Sequence, residues 1–281
     1  MQSVNLQGTS SIPIACPDDL GALQGAATGF ECALCGRRFP SVDGIVELLP
    51  RQALEEASPE NSQLNNYRAS FSKRPDSSWR YSLGVFLSLL GNRYLYSWAA
   101  RALERLAHGQ SFTILDGACG DGILRCFLSS RHSYVGMDFS SRPLSRAQRY
   151  HPATYFRADL HHLPFPSATF DAVLSFQALQ YLDRPEVALA EMARVLKPAG
   201  KLLLTVPNDE SFKYRRQGIP RIQLQRFHRQ SLPALLAPQF EVLQATTRGF
   251  WVPIPGISVH LPGVYPVRWG LSWTVVATAK K

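Results

Sequence analysis

Residues 114–122 read Ile114-Leu115-Asp116-Gly117-Ala118-Cys119-Gly120-Asp121-Gly122. An apolar run ends in an acidic residue, a turn of small residues follows, and the next segment can start a helix. Glycines allow a tight turn and a close approach to a ligand, and a helix N-terminus offers free N–H groups. In α/β folds such a turn brings the backbone against a nucleotide-like ligand. We therefore expect a strand, a ligand-binding turn and a helix at this place.

From residue 112 onward, strand-like and helical patterns alternate along the chain. The strand-like runs are 112–118, 133–139, 153–159, 170–176, 200–207, 240–247 and 272–279, and the helical segments lie near 121–129, 142–150, 184–196 and 229–237. This alternation predicts a parallel sheet with helices on both faces. Ahead of it, an aromatic and amphipathic segment predicts a further helix over about residues 92–107.

Aspartates close three successive strands of the predicted sheet: Asp116, Asp138 and Asp159. The carboxyl ends of parallel strands face one crevice, so these side chains should meet at one ligand. Asp138 follows the loop by about 20 residues, where a carboxylate can accept both hydroxyls of a ribose. Asp116 and Asp121 would repel a pyrophosphate but attract a cationic, phosphate-free nucleoside, and S-adenosylmethionine is such a molecule. Any one of these aspartates alone could be a turn or cap residue, but their common register favours the ligand.

The loop resembles the Asp-x-Gly-x-Gly-x-Gly motif of class I S-adenosylmethionine-dependent methyltransferases, with Ala118 at the first motif glycine. Segments 159–165, 170–173 and 191–200 resemble later motifs of that family in the expected order. The resemblance covers about residues 92–281, and several ordered motifs are far more specific than one. It implies an α/β, Rossmann-like methyltransferase fold, with a seven-stranded, mostly parallel sheet whose last strand is antiparallel.

The same resemblance implies a set of cofactor-binding residues: Asp116, Ala118, Gly120, Gly122, Asp138, Phe139, Asp159, Leu160, Ser175 and Gln177. It implies that Gly120 and Gly122 lie along the methionine part of S-adenosylmethionine and that Asp138 takes the ribose hydroxyls. Phe139 would pack on the adenine, whose edge would meet Asp159 and Leu160. Ser175, Phe176 and Gln177 would close the methionine side. For Phe139 and Phe176, ordinary core packing is an equally good interpretation.

The N-terminal segment carries a cysteine pattern typical of a zinc site. Cys32 and Cys35 form a Cys-x-x-Cys knuckle, and Cys16 precedes Asp19 at the same spacing. Residues 39–50 resemble the end of the small zinc-ribbon domain that partners or fuses to methyltransferases. Because a carboxylate oxygen is an acceptable zinc ligand, Cys16, Asp19, Cys32 and Cys35 are predicted to hold a structural zinc. The alternative is a ribbon that folds without metal on its own small core.

Three regions follow from these patterns: a zinc-ribbon-like module at 1–50, a linker and helical cap over the active site at 51–108, and an S-adenosylmethionine-binding catalytic domain at 109–281. No apolar stretch reaches the roughly 18 residues of a membrane span. The N-terminus does not resemble a secretory signal, and five cysteines with a knuckle fit a reducing compartment. We therefore expect a cytoplasmic protein, and a homodimer is left open.

Tyr181 and His228 are the candidate catalytic residues. Tyr181 follows the fourth strand of the predicted sheet, and His228 precedes a helix in the region over the acceptor pocket. Either could orient a hydroxyl or act as a base, although methyl transfer needs a base only when the acceptor atom carries a proton of high pKa. Core packing for Tyr181 and helix-end solvation for His228 are equally good interpretations. For His161 and His162, a variable surface turn is favoured over catalysis.

Three functions stay open for the acceptor. Aromatic residues in the 67–98 and 250–255 segments favour O- or C-methylation of a small, apolar or aromatic metabolite, although these residues could equally be core. The net charge of +9 and the N-terminal module are compatible with an rRNA base methyltransferase, but no stacking platform interleaves with the basic residues. The third alternative is a protein of this fold that binds the cofactor without transferring a methyl group.

Overall fold

The computed structural model describes residues 3–4, 12–55, 79–220, 223–254 and 257–280. Its strands are β1 (Ser3–Val4), β2 (Ile12–Pro13), β3 (Leu23–Ala26), β4 (Gly29–Cys32), β5 (Arg38–Val42), β6 (Ile45–Leu48), β7 (Thr113–Gly117), β8 (Ser133–Asp138), β9 (Thr154–Ala158), β10 (Phe170–Phe176), β11 (Leu196–Pro207), β12 (Phe240–Ile254), β13 (Ile257–Val264) and β14 (Gly270–Ala279). Its α-helices are α1 (Arg51–Glu55), α2 (Trp79–Ala107), α3 (Ser141–Tyr150), α4 (Pro185–Val195), α5 (Phe212–Gln217) and α6 (Ser231–Leu236), and short 3-10 helices span Ile123–Phe127 and Leu179–Tyr181.

Twelve strands form one sheet in the order β13-β12-β14-β11-β10-β7-β8-β9-β6-β5-β4-β3. Its central seven strands run from β12 to β9. Within them β7 to β11 are parallel, and β14 is antiparallel to both β11 and β12. The predicted seven-stranded fold, with its antiparallel last strand, is confirmed. The central strands are buried on both faces, at Leu115, Val173 and Leu203 for example, and therefore read as continuous apolar runs.

The N-terminal strands extend this sheet. β3 to β6 are antiparallel, and β6 pairs in parallel with β9, so Val46 lies opposite Phe156. Beside that pair, Arg157 Nη1 donates to Glu47 Oε2 at 2.7 Å. The sheet thus continues from the N-terminal segment into the catalytic region, while the domain boundaries at 50 and 108 stay predictions.

Two buried clusters cover the sheet. One joins Leu48 of the N-terminal segment to Phe156 and Leu189 of the central region. The other packs Trp98 and Leu103 of α2 against the sheet. The helix expected over 92–107 is confirmed and begins earlier, at Trp79. Much of the first half of the expected linker and cap, residues 56–78, lies outside the described residues.

The structure differs from the sequence-based expectation in two elements. The segment near 121–129 forms only a short 3-10 helix, because Gly122 at its start has a left-handed φ of 70°. Residues after 247, where the sequence analysis assigns no strand before 272, continue β12 and form the edge strand β13. Prolines hide this strand in the sequence, yet they are tolerated at a sheet edge, where no neighbour needs the missing N–H. Among the described helices, none is both long and apolar enough to cross a bilayer.

Candidate active site

The glycine loop leaves β7 through left-handed residues. Ala118, Gly120 and Gly122 have φ values of 65°, 55° and 70°. A Cβ on Gly122 would lie 2.6 Å from Tyr155 Oη, so only glycine fits there. A Cβ on Gly120 would meet nothing within 4 Å. The loop is therefore packed tightly at Gly122 and open at Gly120, on the side that a ligand would approach.

Asp138 is held beside this loop by backbone donors. Its Oδ2 accepts from the Gly120 N–H at 2.9 Å, and its Oδ1 accepts from the Ser140 N–H at 2.8 Å. Burial raises the pKa of Asp138, and these N–H groups oppose that rise. The end of β8 thus carries a fixed, half-buried carboxyl group next to the open turn at Gly120.

Asp116 is the second carboxyl at the loop, and it is buried. It is 2% exposed, and its Oδ2 accepts from Tyr134 Oη at 2.7 Å. Burial raises its pKa to about 7, the Tyr134 hydrogen bond opposes the rise, and the charge of Asp138 adds to it. Two acidic groups that are costly to ionise together favour a cationic ligand between them. Tyr134 was not identified from the sequence, because an apolar strand gives no sign that its hydroxyl is used.

Asp121 is paired with an arginine. Its Oδ1 accepts from Arg146 Nη2 at 2.7 Å and from Arg146 Nε at 3.0 Å, and both side chains are mostly buried. Arg146 offsets the charge of Asp121. Of the two aspartates that the sequence predicts to repel a pyrophosphate, Asp116 therefore contributes more of the repulsion. Arg146 was missed, although an arginine on the buried face of amphipathic α3 is a recognisable signal.

Asp159 and Leu160 lie at the end of β9. Leu160 leans over the loop, with its Cδ2 2.8 Å from the position of a Cβ on Gly117. Asp159 Oδ1 accepts from His161 N and lies 2.8 Å from His161 Nδ1, and His161 Nε2 lies 3.3 Å from Asp183 Oδ1. Burial would lower the pKa of His161, but the Asp159 carboxylate more than reverses this and raises it. His161 is 8% exposed, so it is a buried partner of Asp159 rather than a surface-turn residue.

The end of β10 supplies Ser175, Phe176 and Gln177. Ser175 is fully buried, and its Oγ has no hydrogen-bond partner among the described residues. Gln177 has a left-handed φ of 54°, and its Nε2 lies 3.3 Å from Thr205 Oγ1. Phe176 stacks on Tyr96 of α2 with ring centroids 6.2 Å apart, which supports the core-packing interpretation.

Phe139 follows Asp138 at the end of β8. Arg157 lies 6.0 Å over its ring, and Arg157 Nε donates to the Phe139 carbonyl at 2.9 Å. The position of Phe139 is thus set by a charged neighbour at the edge of the site.

Hydrogen bonds connect the helix that ends at Tyr181 to the loop before His228. Tyr181 ends a 3-10 helix whose Gln180 carbonyl accepts from the Leu224 and Gln225 N–H groups, so the loop before His228 covers this helix. His228 Nδ1 accepts from the Gln230 and Ser231 N–H groups at 3.3 Å. The Nδ1 of His228 therefore serves a helix end, and its Nε2 is the nitrogen left for another role.

Three buried polar atoms in or beside these segments were not identified from the sequence. Gln180 Oε1, Asp209 Oδ1 and Gln223 Oε1 are buried and lack a hydrogen-bond partner within the described part of the chain. Burial raises the pKa of Asp209. Buried polar atoms normally find partners, so this group is suited to a polar ligand or ordered water.

Cys16, Asp19, Cys32 and Cys35 come together in the N-terminal segment, with one ligand atom from each lying within 4.8 Å of all the others. Cys16 Sγ and Cys35 Sγ are 3.8 Å apart, and Cys32 Sγ lies 3.4 Å from Asp19 Oδ1. Two sulfurs on a tetrahedral zinc at Zn–S of about 2.3 Å would be about 3.8 Å apart. A Cβ on Gly21 would lie within 3.0 Å of both Asp19 and Cys32, so glycine keeps this cluster open.

A family model described as "Methyltransferase domain" matches residues 115–204. The chain is 32% identical to a malonyl-[acyl-carrier protein] O-methyltransferase of Erwinia pyrifoliae, over 40% of this chain and 44% of that protein. It is 34% identical to a fatty-acid O-methyltransferase of Mycolicibacterium smegmatis, over 33% of this chain and 36% of that protein. The chain thus spans about half or less of the length of these curated relatives.

Solved structures share the fold at low sequence identity. The N-methyltransferase NodS of Bradyrhizobium japonicum, in complex with S-adenosyl-L-homocysteine, has a TM-score of 0.53 at 15% identity and covers 76% of this chain and 98% of its own. A chain from the complex of the Haloferax volcanii Trm112 methyltransferase activator with a methyltransferase has a TM-score of 0.54 at 19% identity, with coverage of 76% and 98%. The strand order and the family match at residues 115–204 agree, and this part of the chain is a methyltransferase domain.

Proposed function

We propose that this protein transfers a methyl group from S-adenosylmethionine to a small organic acceptor. The observation that carries the proposal is the pair of carboxyl groups at the open turn at Gly120: Asp116 is buried, and Asp138 is half-buried and accepts from the Gly120 N–H. Such a pair of acids suits a ligand that brings both a cation and a ribose.

The residues at the loop fit this cofactor by their own chemistry. Gly120 leaves space for a ligand, and Ser175 Oγ is a buried hydroxyl without a partner among the described residues. Asp138 would accept the ribose hydroxyls, and Asp116 would lie towards the methionine ammonium. Asp159 and Leu160 would take the adenine edge, and Gln177 would close the methionine side. We assign Ala118, Gly122 and Phe139 to the walls of the same site.

The chain's contribution to methyl transfer would be alignment and exclusion of water. When bound, the cofactor supplies an activated methyl group on a sulfonium. The glycine loop and the end of β10 would hold the donor, and the 223–228 loop, which is hydrogen-bonded to Gln180, would cover the acceptor. Holding the reacting atoms at about 3–3.5 Å can supply much of such a rate enhancement. Tyr181 Oη and His228 Nε2 are the groups that could hold the proton of an acceptor hydroxyl.

The names of the relatives favour an acyl acceptor over RNA. One relative is named for a malonyl group on an acyl-carrier protein and the other for a fatty acid, and both names support O-methylation of an acyl group. An rRNA base as acceptor and cofactor binding without methyl transfer are the two alternatives. The cytoplasmic location and the homodimer stay predictions.

The test uses the full chain with methyl-labelled S-adenosylmethionine and cell extract. We expect label in organic-soluble small molecules, whereas label in RNA would contradict the acceptor class. No S-adenosylhomocysteine with any extract would contradict methyl transfer itself. Asp138→Asn should weaken S-adenosylhomocysteine binding about tenfold or more, since it removes a charged acceptor. Glu186→Gln, an exposed carboxyl in the first turn of α4, is the matched control.

Single Tyr181→Phe and His228→Phe variants test the candidate bases. Loss of a general base lowers turnover by about 10²–10⁴-fold. Turnover at the wild-type level in both variants would eliminate a base role for either residue and leave alignment as the source of rate.

We also propose that Cys16, Asp19, Cys32 and Cys35 hold one structural zinc. Four protein ligands leave no open position, so the metal would be structural and not catalytic. Metal analysis of purified protein should find about one equivalent of zinc, retained in Asp19→Cys and lost in Cys32→Ser. Zinc well below one equivalent in a folded protein would favour the metal-free ribbon.

A further inference from the structure

A cavity of about 480 Å³ opens where β11 ends and β14 begins. We call it the arginine pocket, and its lining includes Phe212, Arg215, Arg229, Arg268, Trp269 and Glu210. It sits at the same edge of the sheet as the glycine loop, because β7, β10 and β11 are parallel neighbours. With strands about 4.8 Å apart, the end of β11 lies about 10 Å across the sheet from the end of β7.

The charge of the pocket is opposite to that of the loop. Arg215, Arg229 and Arg268 line it against the single carboxylate of Glu210. Glu210 Oε2 accepts from the Arg229 backbone N–H at 2.8 Å. Within the described ranges, none of the three guanidinium groups forms an ion pair. The three arginines are exposed and line one cavity, and guanidinium groups in such a place suit a carboxylate or phosphate.

The walls of the pocket are aromatic and its backbone is fixed. The Phe212 and Trp269 rings are 5.4 Å apart, and the Phe212 N–H donates to the Arg268 carbonyl at 2.7 Å. Asn208 is fully buried, and its Nδ2 donates to the Val267 and Gly270 carbonyls. Hydrogen bonds thus hold the backbone of the loop and helix at the pocket, and the Phe212 and Trp269 rings form an apolar surface beside the arginines.

We infer that the arginine pocket binds an anionic group, carboxylate or phosphate, of the methyl acceptor, whose apolar part lies against Phe212 and Trp269. The acceptor is then an amphipathic acid whose charged group lies apart from its reactive group, beyond the end of β11. The assignment of this anion to the methyl acceptor rests on the proposed methyl transfer, but anion binding itself can be measured without cofactor. It also sharpens the sequence-based expectation of a purely apolar or aromatic acceptor.

The test measures binding of phenyl phosphate, phenylacetate and neutral 2-phenylethanol to the full chain by calorimetry. We expect saturable binding of the anions and much weaker binding of the alcohol. The stronger of the two anions tells whether the group is phosphate or carboxylate. Arg215→Ala, Arg229→Ala and Arg268→Ala should each weaken anion binding about tenfold, since each removes a charge-assisted hydrogen bond.

Arg216→Ala is the matched control, because Arg216 lies on α5 beside Arg215 but outside the lining. Equal losses in Arg215→Ala and Arg216→Ala, or no saturable anion binding, would overturn the pocket. An oligoribonucleotide that binds more tightly than phenyl phosphate and is lost in the same variants would overturn a small acceptor. S-adenosylhomocysteine binding, measured in the same samples, separates failure of the pocket from failure of the proposed function.

Discussion

At the scale of single residues, Ala118 carries backbone strain in the glycine loop. It has a φ of 65° where the related motif has glycine. A left-handed alanine costs about 1–2 kcal/mol, while glycine costs about 0.5–1 kcal/mol more entropy on folding. We expect Ala118→Gly to raise the free energy of unfolding by about 0.5–1 kcal/mol in urea titrations. Ala190→Gly in α4 should instead lower it by about 1 kcal/mol, and a loss in both variants would contradict the strain.

Asp116 should make the stability of the protein depend on pH. Burial raises its pKa to about 7 in the folded state, well above its value in an unfolded chain of about 3.9. The folded state therefore binds the proton of Asp116 more tightly than the unfolded chain does. This difference stabilises the folded state fully below about pH 4, and the stabilisation is lost as pH rises towards 7. Asp116→Asn removes the effect.

The measurement is urea unfolding of the cofactor-free protein at pH 5 and pH 8. The gain in unfolding free energy from Asp116→Asn should be larger at pH 8. Exposed Asp43→Asn changes the net charge equally and is the control. The same gain from Asp116→Asn at both values would mean that the buried carboxyl does not titrate in this range.

Single residues also mark the limit of sequence reasoning. The aspartates at strand ends could be placed because their position follows from strand periodicity and topology. Tyr134 and Arg146 could not be paired with Asp116 and Asp121, because their contacts join residues 18 and 25 positions apart. Such contacts depend on which strand ends and helix faces meet, and local patterns carry no record of that.

At the scale of elements, the pairing of β6 with β9 is the main addition to the predicted fold. It joins Val46 and Phe156 across a parallel register. Parallel strands so distant in sequence are not joined by a short turn that the sequence would show. The βα units of the central sheet can be predicted because strand and helix patterns alternate. The pairing of β12 with β13 was also not predicted. Both strands contain prolines, and proline argues against a strand unless the strand lies at a sheet edge.

This pairing predicts that the N-terminal segment stabilises the catalytic sheet. Leu48 is fully buried in the cluster that contains Phe156. Leu48→Ala should therefore lower the free energy of unfolding by about 2–5 kcal/mol. Val42→Ala, at a position 53% exposed in β5, should change it by no more than about 0.5 kcal/mol. Fluorescence of the tryptophans during urea unfolding measures both, and a small effect of Leu48→Ala would mean that the segment folds apart from the sheet.

At the scale of the whole molecule, acidic and basic side chains occupy different places along one edge of the sheet. The buried Asp116 and the half-buried Asp138 lie at the glycine loop, and the arginine pocket lies beyond β11. The net charge of +9 is thus not only a diffuse basic surface. Composition predicted an anionic partner in general terms, but the position of the arginines depends on how β11 and β14 bring their loops together.

Continuity of the core links the zinc cluster to the stability of the whole chain. Cys16 and Cys32 belong to the same buried cluster as Leu115, Val173 and Leu204 of the central strands. A metal that binds only the folded state stabilises every element that unfolds with its ligands. Chelation of the proposed zinc should therefore lower the Tm of one cooperative transition, followed by far-UV and near-UV circular dichroism together. Cys126→Ser, a change at an exposed cysteine outside the cluster, should respond to the chelator as the wild type does, whereas Cys32→Ser should not respond. Two separate transitions, with only the first sensitive to the chelator, would show instead that the N-terminal segment is an independent unit despite the shared sheet.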